Sequence, residues 1–425
     1  MSSSIKEKNI TQGEYSKKYE SKVRSYALSF PDLFNKAKGS LLFSTSGKQY
    51  IDLFSGAGAL NYGHNNEVLK ESLLNYIQSD GITHSLDLMT FAKENFIKSF
   101  KEIILDKRGL KYKLQFTGPT GTNAVEAALK LARKIKKRSN IGFFSNSFHG
   151  VSLGALSVTS DPLKRAGAGI PLNNTISLPY EGSLETAETE FNYLKHILSP
   201  ESGIEKPAAI ILETIQGEGG VNLVSKSWIE KIYKIIKDND ILLIVDDIQA
   251  GCGRSGNFFS FENFEIEPDI VILSKSLSAY GLPMSLVLLK DEYDIWQPAE
   301  HNGTFRGNNH AFITAERAIS YYWADNTFEK NINKKNNIIV KKLKNLEEIE
   351  DLKIKGRGMF YGISFRNSAL ANICSKKLFE NGILIETSGR YDEVLKILPA
   401  LNIPDNLLEK ALDEIVKVIK SELER

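Results

Sequence analysis

Short apolar runs alternate with amphipathic patterns through the middle of the chain. The runs "IGFF", "AAIIL", "ILLIV" and "DIVIL" place apolar residues at nearly every position. Between them lie patterns such as "AVEAALKLARKI" and "WIEKIYKII", in which apolar residues recur three or four positions apart. Strands that are apolar on both faces are typical of a parallel sheet covered by helices on both sides. We therefore predict an α/β fold with a mostly parallel sheet.

The pattern differs at the two ends of the chain. Near the amino end, "GSLLFSTSGKQYIDLFSG" alternates apolar and polar residues around a turn, which predicts two short strands. Towards the carboxyl end, the apolar stretches "MFYGISF", "GILIET" and "VLKILPAL" mix with helical patterns. With 425 residues, the chain exceeds the size of a single core. We predict a large domain at 61–325, a smaller α+β domain at 326–425, and an amino-terminal segment, 1–60, that joins the smaller domain.

Composition and charge argue against several classes of protein. The formal net charge of +2 gives no reason to expect nucleic acid or an anionic membrane as a partner. The two cysteines, Cys252 and Cys374, lie far apart, which excludes a disulfide framework and favours a reducing compartment. Neither belongs to a CxxC pair, and the histidines lack metal-ligand spacing, so we expect no metal site. The polar start "MSSSIKEKNITQGEYSKKYESKVR" lacks the apolar region of a secretory signal, and no apolar run reaches ~18 residues, so we expect a cytoplasmic protein.

An acid and a lysine follow two of the predicted strands. Asp246 ends the run "ILLIVD", and Lys275 comes shortly after "DIVIL". Because the carboxyl ends of parallel strands meet at one edge of a sheet, we expect these two side chains to lie close together. A buried carboxylate requires a cation or a strong hydrogen-bond partner. A desolvated lysine near other cations loses proton affinity and becomes a nucleophile that can form a Schiff base.

Two glycine-containing loops follow other strands. "FTGPTGTNAVEAALKLAR" places Gly121 and Thr122 at the start of a helix, where free amide groups offer a site for a phosphate; an ordinary strand-to-helix turn is the alternative. No Gly-Lys-Ser/Thr follows, so the loop is not a P-loop. "SGAGALNYGH" does not match the dinucleotide fingerprint, because Asn61 stands at the third glycine. We interpret it as a tight loop that lines a pocket, with a plain turn as the alternative.

Together these features suit pyridoxal phosphate. The chain offers a phosphate loop, a buried aspartate, a buried lysine and the aromatic-histidine turn "SFHG". In such a site the aspartate keeps the pyridine nitrogen protonated, so that the ring can accept electrons from a substrate carbanion. The pyridinium would then be the cation that the buried Asp246 requires.

These segments, in this order, resemble the class III, fold-type I aminotransferases from about residue 30 to the end of the chain. The resemblance implies that Lys275 is the Schiff-base lysine and that Asp246 is the partner of the pyridine nitrogen. The other cofactor contacts that it implies are Gly121 and Thr122 in the phosphate loop, Phe148 and His149 in "FHG", Glu213 in "ETIQGEGG", Ile248 and Gln249 in "DDIQAGCGRSG", and Thr304 in "GTFRGNN". In the family this threonine reaches the phosphate of the neighbouring subunit, which implies a homodimer or a dimer of dimers with shared sites.

The chain departs from the family at the substrate. Many class III enzymes carry an arginine that clamps a substrate carboxylate and pairs with the second glutamate of "QGE", here Glu218. In this chain Lys396, in "VLKILPAL", stands nearest that position. Lysine cannot make the planar two-pronged contact, so carboxylate recognition must be weaker or must use another cation such as Arg306. The candidate substrate residues are therefore Glu218, Arg306 and Lys396.

Within the family, the segments "FSGAGALNYGHNN", "DGITHSLDLMT" and "LSKSLSAYGLPMSLVLLK" are most similar to the ectoine-pathway diaminobutyrate aminotransferases. That resemblance implies transfer of an amino group from L-glutamate to L-aspartate 4-semialdehyde. The alternatives are a transaminase for another ω-amino substrate, such as ornithine or 4-aminobutyrate, in a secondary-metabolite or siderophore pathway, and a class III decarboxylase or aminomutase. A non-catalytic protein of the same fold is a further alternative, against which the presence of both Asp246 and Lys275 argues.

Overall fold

The computed structural model describes residues 13–424. The prediction about a secretory signal therefore falls, for residues 1–12, outside the described residues. The strands are β1 Phe34–Lys38, β2 Leu41–Ser44, β3 Gln49–Asp52, β4 Tyr112–Phe116, β5 Ile141–Phe144, β6 Thr175–Leu178, β7 Ala209–Leu212, β8 Ile215–Gln216, β9 Asn222–Leu223, β10 Leu242–Asp246, β11 Ile270–Leu273, β12 Leu286–Lys290, β13 Leu352–Arg357, β14 Phe360–Phe365, β15 Ile383–Leu384, β16 Glu386–Ser388 and β17 Val394–Ile397.

Helices connect most of these strands. The α-helices are α1 Glu14–Tyr19, α2 Tyr26–Ser29, α3 Ser55–Gly58, α4 Glu67–Gln78, α5 Phe91–Ser99, α6 Gly121–Lys136, α7 Leu153–Ser157, α8 Pro162–Ala166, α9 Ala187–Leu198, α10 Lys226–Asp238, α11 Asn309–Tyr322, α12 Thr327–Leu343, α13 Ser368–Glu380 and α14 Asp405–Leu423. Short 3₁₀ turns include Lys275–Ser278 and Thr304–Arg306. Within residues 13–424, no helix has both the length and the apolar character that crossing a membrane requires.

The large sheet is mostly parallel, as predicted. Its seven strands lie in the order β4-β12-β11-β10-β7-β5-β6. Strands β10, β7, β5 and β6 pair in parallel, and β11 is parallel to β10. The exception is β12, which runs antiparallel to both β11 and β4. The segment 274–285 between β11 and β12 holds a 3₁₀ turn and no α-helix, so the chain turns back instead of crossing over to a parallel strand.

Both faces of this sheet are covered. On one face, Leu242 and Ile244 of β10 pack with the alanine-rich side of α6. On the other face, Leu243 and Val245 pack with α10, whose buried side includes Trp228. Alternate residues of one strand therefore enter two different cores, which explains why the strand reads as a continuous apolar run.

The two ends of the chain meet in smaller sheets. Strand β15 pairs in parallel with β3, so residues near the carboxyl end extend the sheet β1-β2-β3-β15. A second four-stranded sheet has the order β13-β14-β17-β16. The division into domains at 1–60, 61–325 and 326–425 stays a prediction, and the pairing of β3 with β15 is the contact that supports placing the first segment with the last.

Candidate active site

Asp246 and Lys275 lie at the same edge of the large sheet. Asp246 is the last residue of β10, and Lys275 follows the end of β11, the parallel neighbour of β10. Because Asp246 is in register with Ile272, the two strands end side by side. The parallel pairing therefore brings together the two side chains that the sequence predicted to be neighbours.

The carboxylate of Asp246 is buried and hydrogen-bonded. Its Oδ2 lies 2.7 Å from Nδ1 of His149, and its Oδ1 accepts from the amide of Ile248 at 3.1 Å. His149 is also buried, and its Nε2 has no hydrogen-bond partner among the described residues. Within the chain, the partner that a buried acid requires is thus an imidazole, which fixes the direction in which the carboxylate points.

The backbone at Lys275 is unusual. Its φ is +47°, in the left-handed region that side chains other than glycine rarely adopt. The residue opens a 3₁₀ turn directly after Ser274, whose hydroxyl donates to the carbonyl of Met284 at 2.9 Å. Strained backbone of this kind persists where the surrounding structure holds it, often at functional sites.

The electrostatic surroundings of Lys275 favour its neutral form. Burial lowers the pKa of Lys275; the charge of Glu218 opposes this, and the charge of Lys396 lowers the pKa further. The described residues place no carboxylate within ion-pair distance of its Nζ. A lysine with these properties is available as a nucleophile and as a base.

The predicted phosphate loop is the amino terminus of α6. The helix begins at Gly121, and the side chains of Thr120 and Asn123 form a capping box before and within its first turn. The amides of Gly121 and Thr122 belong to the first turn, where no carbonyl within the helix can accept from them. A Cβ on Gly121 would lie 2.7 Å from Cδ1 of Ile248, so this position has no room for a side chain.

The turn "FHG" is tied to Glu213. The amide of Phe148 donates to Oε2 of Glu213 at 3.0 Å, which holds the turn against the end of β7. Burial raises the pKa of Glu213, and the nearby charge of Asp246 raises it further. The ammonium of Lys164 lies 5.4 Å from the centre of the Phe148 ring. Phe148 therefore sits beside the same acidic cluster as Asp246.

Gln249 links three parts of the site. Its Nε2 donates to the carbonyl of Ala57 at 2.9 Å and to Oε1 of Glu218 at 3.3 Å. A Cβ on Gly217 would overlap Oε1 of Gln249, so a glycine is required where the chain passes this amide. The loop "SGAGALNYGH", which contains Ala57, is thereby attached to the site.

Lys396 lies between two carboxylates. Its Nζ is 2.7 Å from Oε1 of Glu218 and 3.1 Å from Oε1 of Glu386. The Lys396 side chain is fully buried, and Glu386 is its partner across β16 and β17. Although burial alone lowers the pKa of Lys396, the two carboxylates raise it above its ordinary value.

Glu386 is a site residue that the sequence analysis missed. Burial raises its pKa to about 7, although the charge of Lys396 acts in the opposite direction. The available signal was a glutamate inside the apolar run "GILIETSG", ten residues before Lys396 in a predicted pair of strands. Only the register between β16 and β17 shows that Glu386 faces Lys396.

Thr304 and Arg306 lie apart from this cluster in the same chain. Thr304 is exposed, and its carbonyl accepts from Nε2 of His84 at 2.6 Å. Arg306 donates to Oδ1 of Asn302 at 3.1 Å and lines a different cavity, together with Trp296. The structure thus brings together the other predicted cofactor residues, whereas the contacts of Thr304 and Arg306 lie outside this cluster.

Comparison with known proteins assigns the family. Residues 25–419 match the family model described as aminotransferase class-III. The chain is a class III aminotransferase. Its relatives include the diaminobutyrate--2-oxoglutarate transaminases of Bordetella parapertussis, 52% identical over 93% of this chain and 92% of the relative, and of Vibrio cholerae, 52% identical over 95% and 98%. A solved structure of the ornithine aminotransferase from Toxoplasma gondii is 25% identical, with a TM-score of 0.83 over 96% of this chain and 94% of that one.

Class III membership makes pyridoxal phosphate the cofactor, and the site of this aminotransferase fits it. The fit rests on three features: a helix start without space for a side chain at Gly121, a buried carboxylate at Asp246, and the lysine at Lys275. The Toxoplasma gondii structure is described with partial occupancy of this cofactor at its active site. The predictions of family, fold and cofactor are therefore confirmed, whereas the role of each residue stays a prediction.

Proposed function

We propose that this enzyme transfers the amino group of L-glutamate to L-aspartate 4-semialdehyde, giving L-2,4-diaminobutyrate and 2-oxoglutarate. The observation that carries the proposal is the 52% identity, over 93% of the chain, to a protein named for diaminobutyrate and 2-oxoglutarate. The cluster of Asp246, His149 and Lys275 supports the same chemistry. The resemblance to the ectoine-pathway enzymes supports that pathway as the one that uses the product, and the two buried, unpaired cysteines favour the cytoplasm.

The proposed roles follow from position. Pyridoxal phosphate supplies an electron sink for the negative charge that develops on the carbon bearing the transferred amino group, which is Cα in L-glutamate and C4 in L-2,4-diaminobutyrate. Lys275 would hold the cofactor and move the proton to and from that reacting carbon, because its lowered pKa favours the neutral amine. Asp246, oriented by His149, would keep a negative charge at the ring nitrogen, and the start of α6 would bind the phosphate. Phe148 and Ile248 would pack on the two faces of the ring, with Gln249 and Glu213 beside it.

We also propose a homodimer, or a dimer of two such dimers, in which the segments 86–91 and 304–306 contact the partner. These segments adjoin each other through the hydrogen bond from the amide of Ser85 to the carbonyl of Gly307. They expose large apolar side chains: Leu86, Leu88, Met89, Phe91 and Phe305. An apolar area of this kind beside the exposed Thr304 suits an interface that completes the partner's phosphate site.

A panel of amino donors tests the substrate. Initial rates of L-2,4-diaminobutyrate, ornithine, 4-aminobutyrate and lysine would be compared at equal concentrations, with 2-oxoglutarate as the acceptor and glutamate as the measured product. We expect diaminobutyrate to react fastest. A clear preference for ornithine or 4-aminobutyrate would contradict the proposed substrate while leaving the aminotransferase chemistry in place.

A further inference from the structure

Glu218 is the member of its ion cluster that faces open space. The cluster consists of Lys396, Glu218 and Glu386. The Glu218 side chain is 29% exposed, compared with 0% for Lys396 and 5% for Glu386. Glu218 lines a cavity of about 760 Å³ together with Phe148, whereas Lys396 is not among its lining residues. The position where the family resemblance implied a cation for the substrate therefore presents an anion.

The carboxylate of Glu218 retains one oxygen for a ligand. Its Oε1 is 2.7 Å from Nζ of Lys396 and 3.3 Å from Nε2 of Gln249. Within residues 13–424, no donor is recorded for its second oxygen, Oε2. Although burial acts to raise the pKa of Glu218, the charge of Lys396 lowers it to about 2, so the group is ionised at any working pH.

The cluster sets one ammonium against two carboxyl groups. Glu386 already holds Lys396 from the buried side. Lys396 therefore needs no second carboxylate from a ligand. Glu218 is the member that stays ionised and exposed, whether or not Glu386 is protonated. A positively charged ligand group is the one that would complete the cluster.

The wall of the same cavity carries charges of both signs, with Asp161 and Asp392 besides Glu218. Lys164 and Arg390 line it, and Lys164 pairs with Asp161. A cavity whose wall presents both an anion and cations is complementary to a zwitterion, that is, to the ammonium and the carboxylate of an amino acid end group.

We propose that Glu218 accepts a hydrogen bond from the α-ammonium group at the unreacting end of a diamino acid substrate. The inference rests on the proposed function, since L-2,4-diaminobutyrate reacts through its 4-amino group and keeps its α-amino group intact. It makes Glu218 a residue that selects diamino acids over ω-amino acids without an α-ammonium group, such as 4-aminobutyrate. Lys396 lies on the buried side of Glu218 and holds its carboxylate in place, and Glu386 in turn holds Lys396.

The test compares amines in the wild type and in Glu218→Gln, which keeps the shape of the side chain and removes its charge. Each amine is added to the holoenzyme, and kcat/KM is measured with 2-oxoglutarate as the acceptor. We expect kcat/KM for diaminobutyrate to fall roughly 10- to 100-fold more than kcat/KM for 4-aminobutyrate, the range of a lost charged hydrogen bond. The half-reaction of L-glutamate, which has no second ammonium, gives a further comparison. Its rate in Glu218→Gln should also fall less than the rate with diaminobutyrate.

Two further variants make the result specific. Glu218→Asp keeps the charge and shortens the side chain, so its loss of selectivity should be smaller than that of Glu218→Gln. Asp392→Asn removes another carboxylate that lines the same cavity, and the ratio between the two amines should then stay at its wild-type value. The inference would be overturned if Glu218→Gln lowered kcat/KM equally for diaminobutyrate and 4-aminobutyrate. It would also be overturned if Asp392→Asn changed the ratio of the two kcat/KM values as much as Glu218→Gln does.

The wild-type enzyme separates the two proposals. If it does not convert diaminobutyrate, the proposed function fails before any variant is made. If it converts diaminobutyrate and Glu218→Gln leaves the ratio unchanged, only the role of Glu218 fails. The cofactor absorbance and melting temperature of each variant show whether its fold is intact.

Discussion

Nδ1 of His149 lies 2.7 Å from Oδ2 of Asp246, and both side chains are buried at the carboxyl edge of the large sheet. The pair joins the end of β10 to the turn after β5. Because Asp246 is also held by the amide of Ile248, its carboxylate has little freedom to rotate. The imidazole therefore positions a negative charge that the cofactor would meet.

Replacing His149 should weaken catalysis more than folding. In His149→Phe the Asp246 carboxylate loses its imidazole partner, and we expect kcat to fall about 10- to 100-fold, as for other residues that orient a catalytic group. Steady-state rates and the absorbance of bound cofactor are the measurements. His196→Phe, at an exposed position of α9, is the control and should keep the wild-type rate. Equal rates for both variants would contradict the role of His149.

Asp246→Asn should keep the fold and lose most of the activity. An amide of the same shape leaves the cofactor nitrogen without a carboxylate, and we expect kcat to fall roughly a thousandfold or more. The matched control is Asp247→Asn, at the adjacent residue, whose Oδ2 accepts from the amide of Ser260 at 3.0 Å. If Asp247→Asn were the more damaging change, the assignment of the two aspartates would be reversed.

Asp247 gives a prediction about pH. Burial raises the pKa of the Asp247 carboxyl to about 7 from its ordinary value of 3.8. An acid whose pKa rises on folding stabilises the folded chain while protonated, and this stability is lost as pH rises from about 4 towards 7. Asp247→Asn removes that titration. We expect its melting temperature, relative to the wild type, to rise by about 2–6 °C between pH 5 and pH 8.

The control for this measurement is Asp238→Asn, which removes an exposed carboxylate from α10. Its melting temperature relative to the wild type should stay constant over the same interval. If the difference in melting temperature between Asp247→Asn and the wild type did not change with pH, the buried carboxyl would have a hydrogen-bond partner in solution. Its Oδ1 has none among the described residues.

Two inactive variants should restore activity when mixed. If Thr304 serves the site of the partner, a hybrid dimer of Thr304→Ala and Lys275→Ala chains contains one site with neither change. Each hybrid dimer, purified away from both parent dimers, would then have about half of the wild-type sites. Co-expression with two affinity tags, followed by rate measurements on the doubly purified protein, checks this. Activity no higher than that of Thr304→Ala alone would argue against shared sites.

The sequence predicted the centre of the large sheet better than its borders. Strands β10 and β11 are buried on both faces, so their apolar runs are continuous and easily recognised. Among the strands that it missed, β1, β6 and β13 each lie at the edge of a sheet. An edge strand is partly solvated and tolerates polar residues, as "FNKAK" in β1 does, so its pattern does not stand out.

Site residues that directly follow a strand could be predicted from the sequence. Site residues that meet only through the register of two paired strands could not. Asp246 and Lys275 could be found because strand ends in a parallel sheet meet at one edge. The sequence could not show that Lys396 is buried while Glu218 faces the cavity. Both residues are charged, so the sequence alone does not indicate which of the two is buried. That distinction depends on Glu386, which reaches Lys396 only through the pairing of β16 with β17.

The parallel pairing of β3 with β15 has a consequence for synthesis on the ribosome. Ile51 pairs with Ile383, so β3 has no β15 to pair with until about nine-tenths of the chain has been synthesised. Until then β3 presents an unpaired edge, on which nascent chains can associate wrongly. The loop that follows β3 carries Ala57, the carbonyl partner of Gln249. We therefore expect the catalytic cleft to assemble only after release, which makes cotranslational chaperones important for the yield of active enzyme.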